Sequence, residues 1–127
     1  MTKKQALTPQ EDDSPEVLCL IRAHEIMNHK GAHWIKGHFF KKVLKPGWKK
    51  PERCYCLAGG VNAATTNLTL RRKTKRLLVQ TIHQLYRGQF YSHTFQTIYS
   101  FNDTAGTTWR DVERVIVTTI KNERKKK

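Results

Sequence analysis

Two segments have the hydrophobic period of an amphipathic helix. Residues 69–87 place apolar or small side chains three and four positions apart, as one helix face requires. These are Leu70, Thr74, Leu77, Leu78, Thr81, Ile82 and Leu85. Residues 107–122 carry a similar stripe, and Thr108 followed by Asp111 is typical of a capping box at a helix start. The pattern predicts a helix in each segment, the first ending at Gly88.

A third helix is predicted over residues 14–30, and its apolar surface is wider. Ser14 is a suitable N-cap, and Pro15 suits the first helical position because the missing N–H has no intrahelical partner there. Gly31 would end the helix. Because apolar residues cover most of its circumference, we expect it to be central and largely buried.

The intervening segments give weaker patterns. Residues 32–53 mix aromatic residues, lysines and glycines, which predicts a short helix or two irregular segments. Residues 52–65 predict a short helix of small residues, in which Gly59 and Gly60 would allow another backbone to approach closely. Residues 89–101 alternate aromatic and polar positions, which suits a strand or an aromatic loop. A single strand makes no sheet, so a loop with a short helix is favoured.

Together these elements predict a mainly α protein, a single small domain of about four helices with an aromatic loop or short strand region. The 127 residues, of which 38% are hydrophobic, suit one modest core. The predicted domain spans residues 14–122. Residues 1–13 are polar and lack a period, so a flexible, disordered N-terminal arm is expected, and residues 123–127 form a basic C-terminal tail.

The net charge of the chain indicates a possible binding partner. Lys and Arg number 24 against 10 Asp and Glu, a formal net charge of +14. Fourteen charges of one sign concentrate polyanions near a small protein. The cations cluster in residues 41–53, 71–76 and 124–127, which suits a surface that follows a phosphate backbone. The alternative is a set of solvated faces that only maintain solubility.

The predicted nucleic-acid contacts are the cations of these clusters and one tryptophan. They are Lys41, Lys42, Lys45, Trp48, Lys49, Lys50, Arg71, Arg72, Lys73, Lys75, Arg76, Arg124, Lys125, Lys126 and Lys127. Trp48 lies among lysines, so it is the aromatic residue most suited to stack on an unpaired base. Trp34, Phe39, Phe40, Tyr91 and Tyr99 could also stack, although core packing is the more common role. No sequence-reading motif is present, so phosphate contacts should dominate.

Metal binding is not favoured by the histidines and cysteines. His29 and His33 are loosely spaced as ligands, but Cys54 and Cys56 on one helix would point to opposite sides. His24 lies on the apolar face of the first predicted helix and suits a hydrogen-bonded core histidine. We therefore expect no metal and no cofactor.

Catalysis is the third reading. Cys56 with a histidine and Asn102 or Asp103 could form a Cys-His-Asn arrangement. A small buried side chain among Gly and Ala residues is the commoner role of such a cysteine. The sequence therefore predicts a binding protein and not an enzyme.

The sequence also predicts the cellular compartment of the protein. Residues 1–10 lack the apolar stretch of a secretory signal, no segment is apolar enough to span a bilayer, and three cysteines suit a reducing compartment. We expect a cytoplasmic protein with no membrane partner.

Three segments together resemble a known family. They are Trp34-Ile35-Lys36-Gly37, Cys56-Leu57-Ala58-Gly59-Gly60, and Phe101-Asn102-Asp103 followed by Thr108 and a helix containing Asp111-Val112. This is similar to a domain of unknown function common in actinobacteria and their phages, with Gly60 in place of the usual Ala. The resemblance implies a phage or prophage setting and no known activity. In physical terms, Phe101 would anchor its loop in the core, while Asn102 and Asp103 would bond backbone N–H groups and order the approach to the last helix.

The sequence thus predicts a small phage-type accessory protein that binds nucleic acid, DNA or RNA, without strong sequence reading. The alternative is a host-directed interaction or inhibitor protein whose basic face meets an acidic protein or the ribosome.

Overall fold

The computed structural model describes residues 2–27, 31–87, 89–90 and 94–126. The described elements are α1 (Lys3–Ala6), α2 (Pro15–Ile26), β1 (Phe40–Val43), β2 (Glu52–Tyr55), α3 (Leu57–Ala64), α4 (Leu68–Leu85), α5 (Gln96–Asp103) and α6 (Trp109–Lys125). The mainly helical class is confirmed. The described residues contain six helices, two more than the four or so that the sequence predicts. None of the described helices combines the length and hydrophobicity that crossing a membrane requires.

One apolar core lies among the helices. Helices α2, α4 and α6 pack on one another, and α3 and α5 pack against α4 and against each other. The largest fully buried side chains include Phe101, Leu20, Met27, Leu57, Leu78, Ile82, Ile98, Ile116 and Ile120. Because α2 is buried over several faces, the prediction of a central helix from its wide apolar surface is confirmed.

The predicted helix starts are confirmed by their caps. The Ser14 hydroxyl accepts a hydrogen bond from the Val17 N–H at 3.2 Å. The Asp111 carboxylate accepts from both the N–H and the hydroxyl of Thr108, at 2.8 and 3.1 Å. The predicted ends differ: α2 ends at Ile26 and α4 at Leu85. Residues 28–30 and 88, where the sequence placed those ends, lie outside the described residues.

A β-hairpin replaces part of the expected helical structure. Strands β1 and β2 are antiparallel, with register from Phe40 opposite Tyr55 to Val43 opposite Glu52. Gly47 has a φ of 87° in the connection, a conformation that favours glycine. The helix predicted over residues 52–65 is therefore wrong in its first part and right in α3. Residues 52–55 are a strand because β1 supplies their partner, and a strand needs such a partner to be stable.

The segment predicted to be a loose N-terminal arm contains α1 and packs on α6. The Thr2 N–H donates to Gln5 Oε1 at 2.8 Å and the Gln5 N–H donates to Thr2 Oγ1 at 3.1 Å, forming a capping box. Ala6 is fully buried, and Lys3 Nζ lies 3.1 Å from Glu113 Oε1. A single buried alanine in a polar segment produces no hydrophobic period, so the sequence pattern did not predict the burial of Ala6.

The predicted tail also differs, because α6 continues to Lys125. The Arg124 guanidinium donates through Nε and Nη2 to the two carboxylate oxygens of Asp13, each at 2.9 Å. It also donates to the carbonyl oxygens of Gln5 and Thr8, at 3.2 and 3.0 Å. Both ion-pair side chains are nearly buried, so Arg124 joins the N-terminal segment to the last helix.

Candidate functional site

Asn102 links three separate segments of the chain. It lies on α5 with 1% of its surface exposed. Its Oδ1 accepts from Trp34 Nε1 at 2.7 Å and from the Leu57 N–H at 3.0 Å. Its Nδ2 donates to the Ile35 carbonyl oxygen at 3.1 Å. One buried amide therefore fixes the Trp34 segment and the start of α3 to α5.

Asp103 extends this network by one residue. Its Oδ1 accepts from the Gly37 N–H at 2.8 Å and from Asn102 Nδ2 at 3.0 Å. Lys36 Nζ donates to the Thr104 carbonyl oxygen at 2.6 Å, just beyond the end of α5. Phe101 is buried, as predicted. The bonds of Asn102 and Asp103 join the Trp34 segment and α3, so the predicted role at the approach to the last helix is corrected.

Cys56 is the N-cap of α3. Its Sγ accepts from the Gly59 N–H at 3.3 Å, and its own N–H donates to the Phe39 carbonyl oxygen at 3.3 Å. A Cβ on Gly59 would lie 1.7 Å from that carbonyl oxygen. The close backbone approach predicted at Gly59 is therefore confirmed, and it holds the Phe39 backbone beside Cys56.

A cleft opens where these segments meet. Its volume is about 350 Å³. Its described lining residues are Gly37, His38, Phe39, Cys56, Tyr99 and Asp103. The rings of Phe39 and Tyr99 meet edge to face with centroids 5.4 Å apart. Burial raises the pKa of the Cys56 thiol and the pKa of the Tyr99 hydroxyl, so both groups are protonated at neutral pH.

Lys75, on α4, is a cation that the fold largely buries. The side chain is predominantly buried, with 8% of the residue exposed, and Nζ lies 5.7 Å from the centroid of the Phe95 ring. Burial lowers the pKa of its ammonium, Arg71 lowers it further, and Cys56 raises it. Lys75 is therefore not an exposed phosphate contact, which corrects that prediction.

The hairpin carries the most exposed of the predicted contacts. Lys41, Lys42, Lys49 and Lys50 are all exposed. Arg53 is exposed as well, with its guanidinium 4.7 Å from the centroid of the Phe40 ring. Phe39, Phe40 and Leu44 are exposed apolar side chains in the same region. We call Phe39 to Arg53 the basic hairpin.

Two other predicted contacts in the hairpin are partly engaged. The Trp48 ring stacks on the His33 ring, with centroids 4.9 Å apart and planes 22° apart. Lys45 Nζ lies 5.6 Å from the centroid of the Trp48 ring and also donates to the Ala32 carbonyl oxygen. His33 in turn lies 2.9 Å from Glu52 Oε1. Trp48 is therefore half-buried and already has an aromatic partner, which makes it less available than predicted.

The α4 cluster divides into structural and exposed cations. Arg71 donates to the carbonyl oxygens of Thr65 and Asn62, each at 2.7 Å, so it satisfies the C-terminal end of α3. Arg72, Lys73 and Arg76 are exposed. Lys73 and Arg76 border a shallow concavity that also contains Glu16 and Glu123, so acidic groups reduce the positive potential there.

The C-terminal cluster is smaller than predicted. Arg124 is held by Asp13, and Lys126 forms an ion pair with Glu123. Lys125 is exposed. The predicted contact at Lys127 lies outside the described residues, as does the predicted stacking residue Tyr91.

The histidines and cysteines form no group of three that could hold a metal ion within the described ranges, from which His29 is absent. Cys54 lies on β2 and not on a helix, so the predicted helical geometry of Cys54 and Cys56 is corrected. His24 is buried with Nε2 2.8 Å from Glu113 Oε2, which confirms a hydrogen-bonded core histidine.

Comparison with known proteins gives a family. Residues 13–122 match the DUF6197 family, a family of unknown function, and the chain belongs to it. No curated protein and no solved structure matches the chain.

Sequence reasoning missed the cleft as a site. His38 precedes β1 and Tyr99 lies on α5, and only the folded arrangement brings these distant residues to the cleft beside Cys56. The visible signal was the family resemblance, since its three segments supply Gly37, Cys56 and Asp103. They converge on the cleft.

Proposed function

We propose that this protein binds nucleic acid through the basic hairpin, with phosphate contacts from Lys41, Lys42, Lys49, Lys50 and Arg53. The observation that carries the proposal is the exposure of these five cations on one hairpin. Glu52 is the only acidic residue between Phe39 and Arg53, and its carboxylate lies 2.9 Å from His33 Nε2. A local excess of cations attracts phosphates and needs no particular base sequence.

The hairpin also offers apolar contacts. Phe40 is 57% exposed and Leu44 is 58% exposed. Exposed aromatic rings beside lysines suit unpaired bases, which stack on any π face. Single-stranded nucleic acid is therefore the favoured form, because it can satisfy the cations and the rings together.

The biological setting is part of the same proposal. We infer a small accessory protein of phage type, acting in the cytoplasm of the host cell. The alternative is a host-directed inhibitor that places the same hairpin on an acidic protein or on the ribosome. The exposed apolar residues Phe39, Phe40 and Leu44 favour this alternative if no nucleic acid binds.

The test measures binding of fluorescent single-stranded and duplex oligonucleotides to the full chain by anisotropy at low salt. The hairpin variant replaces Lys41, Lys42, Lys49 and Lys50 with Gln. A control variant, which replaces the exposed Arg72, Lys73, Arg76 and Arg110 with Gln, loses the same formal charge.

The proposal predicts that the hairpin variant loses at least tenfold more affinity than the control variant, about 1.4 kcal/mol of binding free energy. Equal losses would show that net charge alone attracts the nucleic acid and would overturn the hairpin assignment. Absence of binding by the unmodified chain would overturn nucleic-acid binding altogether.

A further inference from the structure

Three polar groups that line the cleft have no hydrogen-bond partner among the described residues. Asp103 Oδ1 accepts from the Gly37 N–H and from Asn102 Nδ2, at 2.8 and 3.0 Å, so the carboxylate is fixed and its Oδ2 is the atom left to accept. The Tyr99 hydroxyl and the His38 ring line the cleft as well and donate to no described group. The cleft therefore offers one oriented acceptor and two groups that can donate.

Asp103 and Tyr99 lie on the same side of the cleft. They are four residues apart on α5, a spacing that brings two side chains onto one face of a helix. Burial raises the pKa of the Tyr99 hydroxyl, so at neutral pH it keeps the proton with which it can donate a hydrogen bond. The Phe39 ring, which contacts the Tyr99 ring edge to face, belongs to a residue that is 48% exposed. An acceptor, a donor and an exposed aromatic ring thus border one space.

A nucleobase suits this combination better than an organic cation does. A carboxylate beside aromatic rings can hold a cation, but the formal net charge of the chain is +14, and its field repels free cations. A nucleobase is neutral, stacks on an aromatic ring and presents hydrogen-bonding groups along its edge. The field of the protein also attracts the phosphates to which nucleobases are linked.

The cleft is also continuous with the basic hairpin. Phe39 belongs both to the hairpin and to the lining of the cleft. His38 lines the cleft and a second concavity, which includes Lys36, Lys41 and Lys45. A single strand with a phosphate against the exposed Lys41 would therefore have a neighbouring base beside the cleft.

The groups that line the cleft favour guanine over the other common bases. The Watson–Crick edge of guanine has two adjacent donors, N1–H and N2–H₂, next to the O6 acceptor. The donors match Asp103 Oδ2 in charge-assisted hydrogen bonds, and O6 matches the Tyr99 hydroxyl. Adenine and cytosine would direct the lone pair of a ring nitrogen at the carboxylate. Thymine and uracil would place a carbonyl oxygen on each side of their single N–H.

We propose that the cleft binds a guanine base of a single-stranded nucleic acid, with Asp103 as the acceptor, Tyr99 as the donor and Phe39 as the stacking surface. This inference rests on the proposed nucleic-acid binding and adds a base preference to it. The hairpin cations supply most of the affinity, and the cleft discriminates between bases.

Oligonucleotides that differ at one base test the preference. Anisotropy measures the affinity of the full chain for a short oligothymidylate and for the same strand with one central guanine, hypoxanthine, adenine or cytosine. The guanine strand should bind at least about fivefold more tightly than the adenine, cytosine and unsubstituted strands. Hypoxanthine lacks the N2 amino group, so its strand should have an intermediate affinity. Equal affinity for all five strands would overturn the guanine site.

Asp103→Asn changes the acceptor with little change in shape. Asparagine keeps an oxygen for the Gly37 N–H and Asn102 Nδ2 but has an amino donor in place of Oδ2, so the guanine preference should disappear. Tyr99→Phe keeps the ring, loses the hydroxyl and should lower the preference by a smaller factor. Glu25→Gln removes the same charge at an exposed position on α2 and should keep the preference. Circular dichroism checks the fold of each variant, and an unchanged preference in folded Asp103→Asn and Tyr99→Phe would overturn the site.

Free guanosine separates the cleft from the hairpin. Saturation-transfer NMR should detect guanosine binding to the full chain, weaker binding to Asp103→Asn and undiminished binding to the four-lysine hairpin variant. That variant should lose affinity for every oligonucleotide and keep the guanine preference. Guanosine binding without oligonucleotide binding would support the cleft and overturn the hairpin assignment. Oligonucleotide binding with neither a base preference nor guanosine binding would overturn the cleft alone.

Discussion

The indole Nε1 of Trp34 donates a hydrogen bond to the side-chain oxygen of Asn102 across 2.7 Å, although 68 residues separate them along the chain. The same oxygen accepts the Leu57 N–H at the start of α3. The contact therefore couples the Trp34 segment, α3 and α5 through one buried atom. The wall of the cleft depends on this coupling, because its lining residue Gly37 follows shortly after Trp34 and its lining residue Cys56 immediately precedes Leu57.

Asn102→Ala should destabilise the protein by about 3 kcal/mol, because the buried indole N–H and the Leu57 N–H would lose their acceptor. Thermal or urea unfolding monitored by circular dichroism measures the loss. Asn122→Ala removes an exposed bond to Gln84 Oε1 and should cost under about 1 kcal/mol. Similar losses in the two variants would contradict the central role of Asn102.

Gly59→Ala should be disruptive, because the new Cβ would lie 1.7 Å from the Phe39 carbonyl oxygen. The backbone of residues 35–39 would have to move away from α3, at a cost of about 3 kcal/mol or more. Gly106→Ala is the matched control, since a Cβ there meets nothing within 4 Å. Chemical denaturation measures the free energy of unfolding of both variants. An unchanged free energy of unfolding in Gly59→Ala would show that α3 and the Phe39 backbone do not pack this closely.

The helices that the sequence predicted best are those whose burial follows one period. In α4, Thr74, Leu78 and Ile82 are fully buried at four-residue spacing, so local pattern and tertiary packing agree. The caps at Ser14 and Thr108 were also predictable because capping uses only residues within one turn. These features depend on short-range chemistry.

The hairpin and the cleft depend on long-range partners. The Phe-Lys-Lys-Val sequence of β1 shows no alternation, and only its pairing with β2 makes it a strand. Lys75 looks like another cation of a basic run until α5 packs over it and places Phe95 beside its ammonium. Arg124 belongs to a basic tail by sequence, but the buried Asp13 near the other end of the chain fixes its position. No local pattern encodes these contacts.

Arg124→Gln should destabilise the protein by about 3 kcal/mol, since it leaves the buried Asp13 carboxylate without its guanidinium partner. The N-terminal segment should loosen as well, and limited proteolysis should cut near residues 8–12 faster than in the unmodified chain. Lys125→Gln, at an exposed neighbouring position, should change stability by less than about 0.5 kcal/mol. Unchanged proteolysis in Arg124→Gln would show that Arg124 does not hold the segment.

Nucleic-acid affinity should fall steeply with salt. On duplex DNA the logarithm of affinity should decrease by about 0.9 for each unit of log salt and each phosphate contacted. Five exposed cations on the hairpin therefore predict a slope of about −4 to −5. The four-lysine hairpin variant should have a slope near −1, whereas the control variant should keep most of its slope. A flat dependence in the unmodified chain would exclude phosphate contacts as the main source of affinity.

Base stacking should depend on Phe40 more than on Trp48. Phe40 is 57% exposed even with the Arg53 guanidinium 4.7 Å from its ring centroid, whereas the half-buried Trp48 ring already stacks on the His33 ring. Stacking of one base on an aromatic side chain contributes about 1–3 kcal/mol, so Phe40→Ala should weaken binding of a single-stranded oligonucleotide at least fivefold. Duplex binding should change little in the same variant, because paired bases are not free to stack on Phe40. Trp48→Ala should weaken single-stranded binding less than Phe40→Ala when both are compared as folded proteins by anisotropy. The reverse order would mean that Trp48 leaves His33 when nucleic acid binds, and that the bases contact the turn of the hairpin and not its strands.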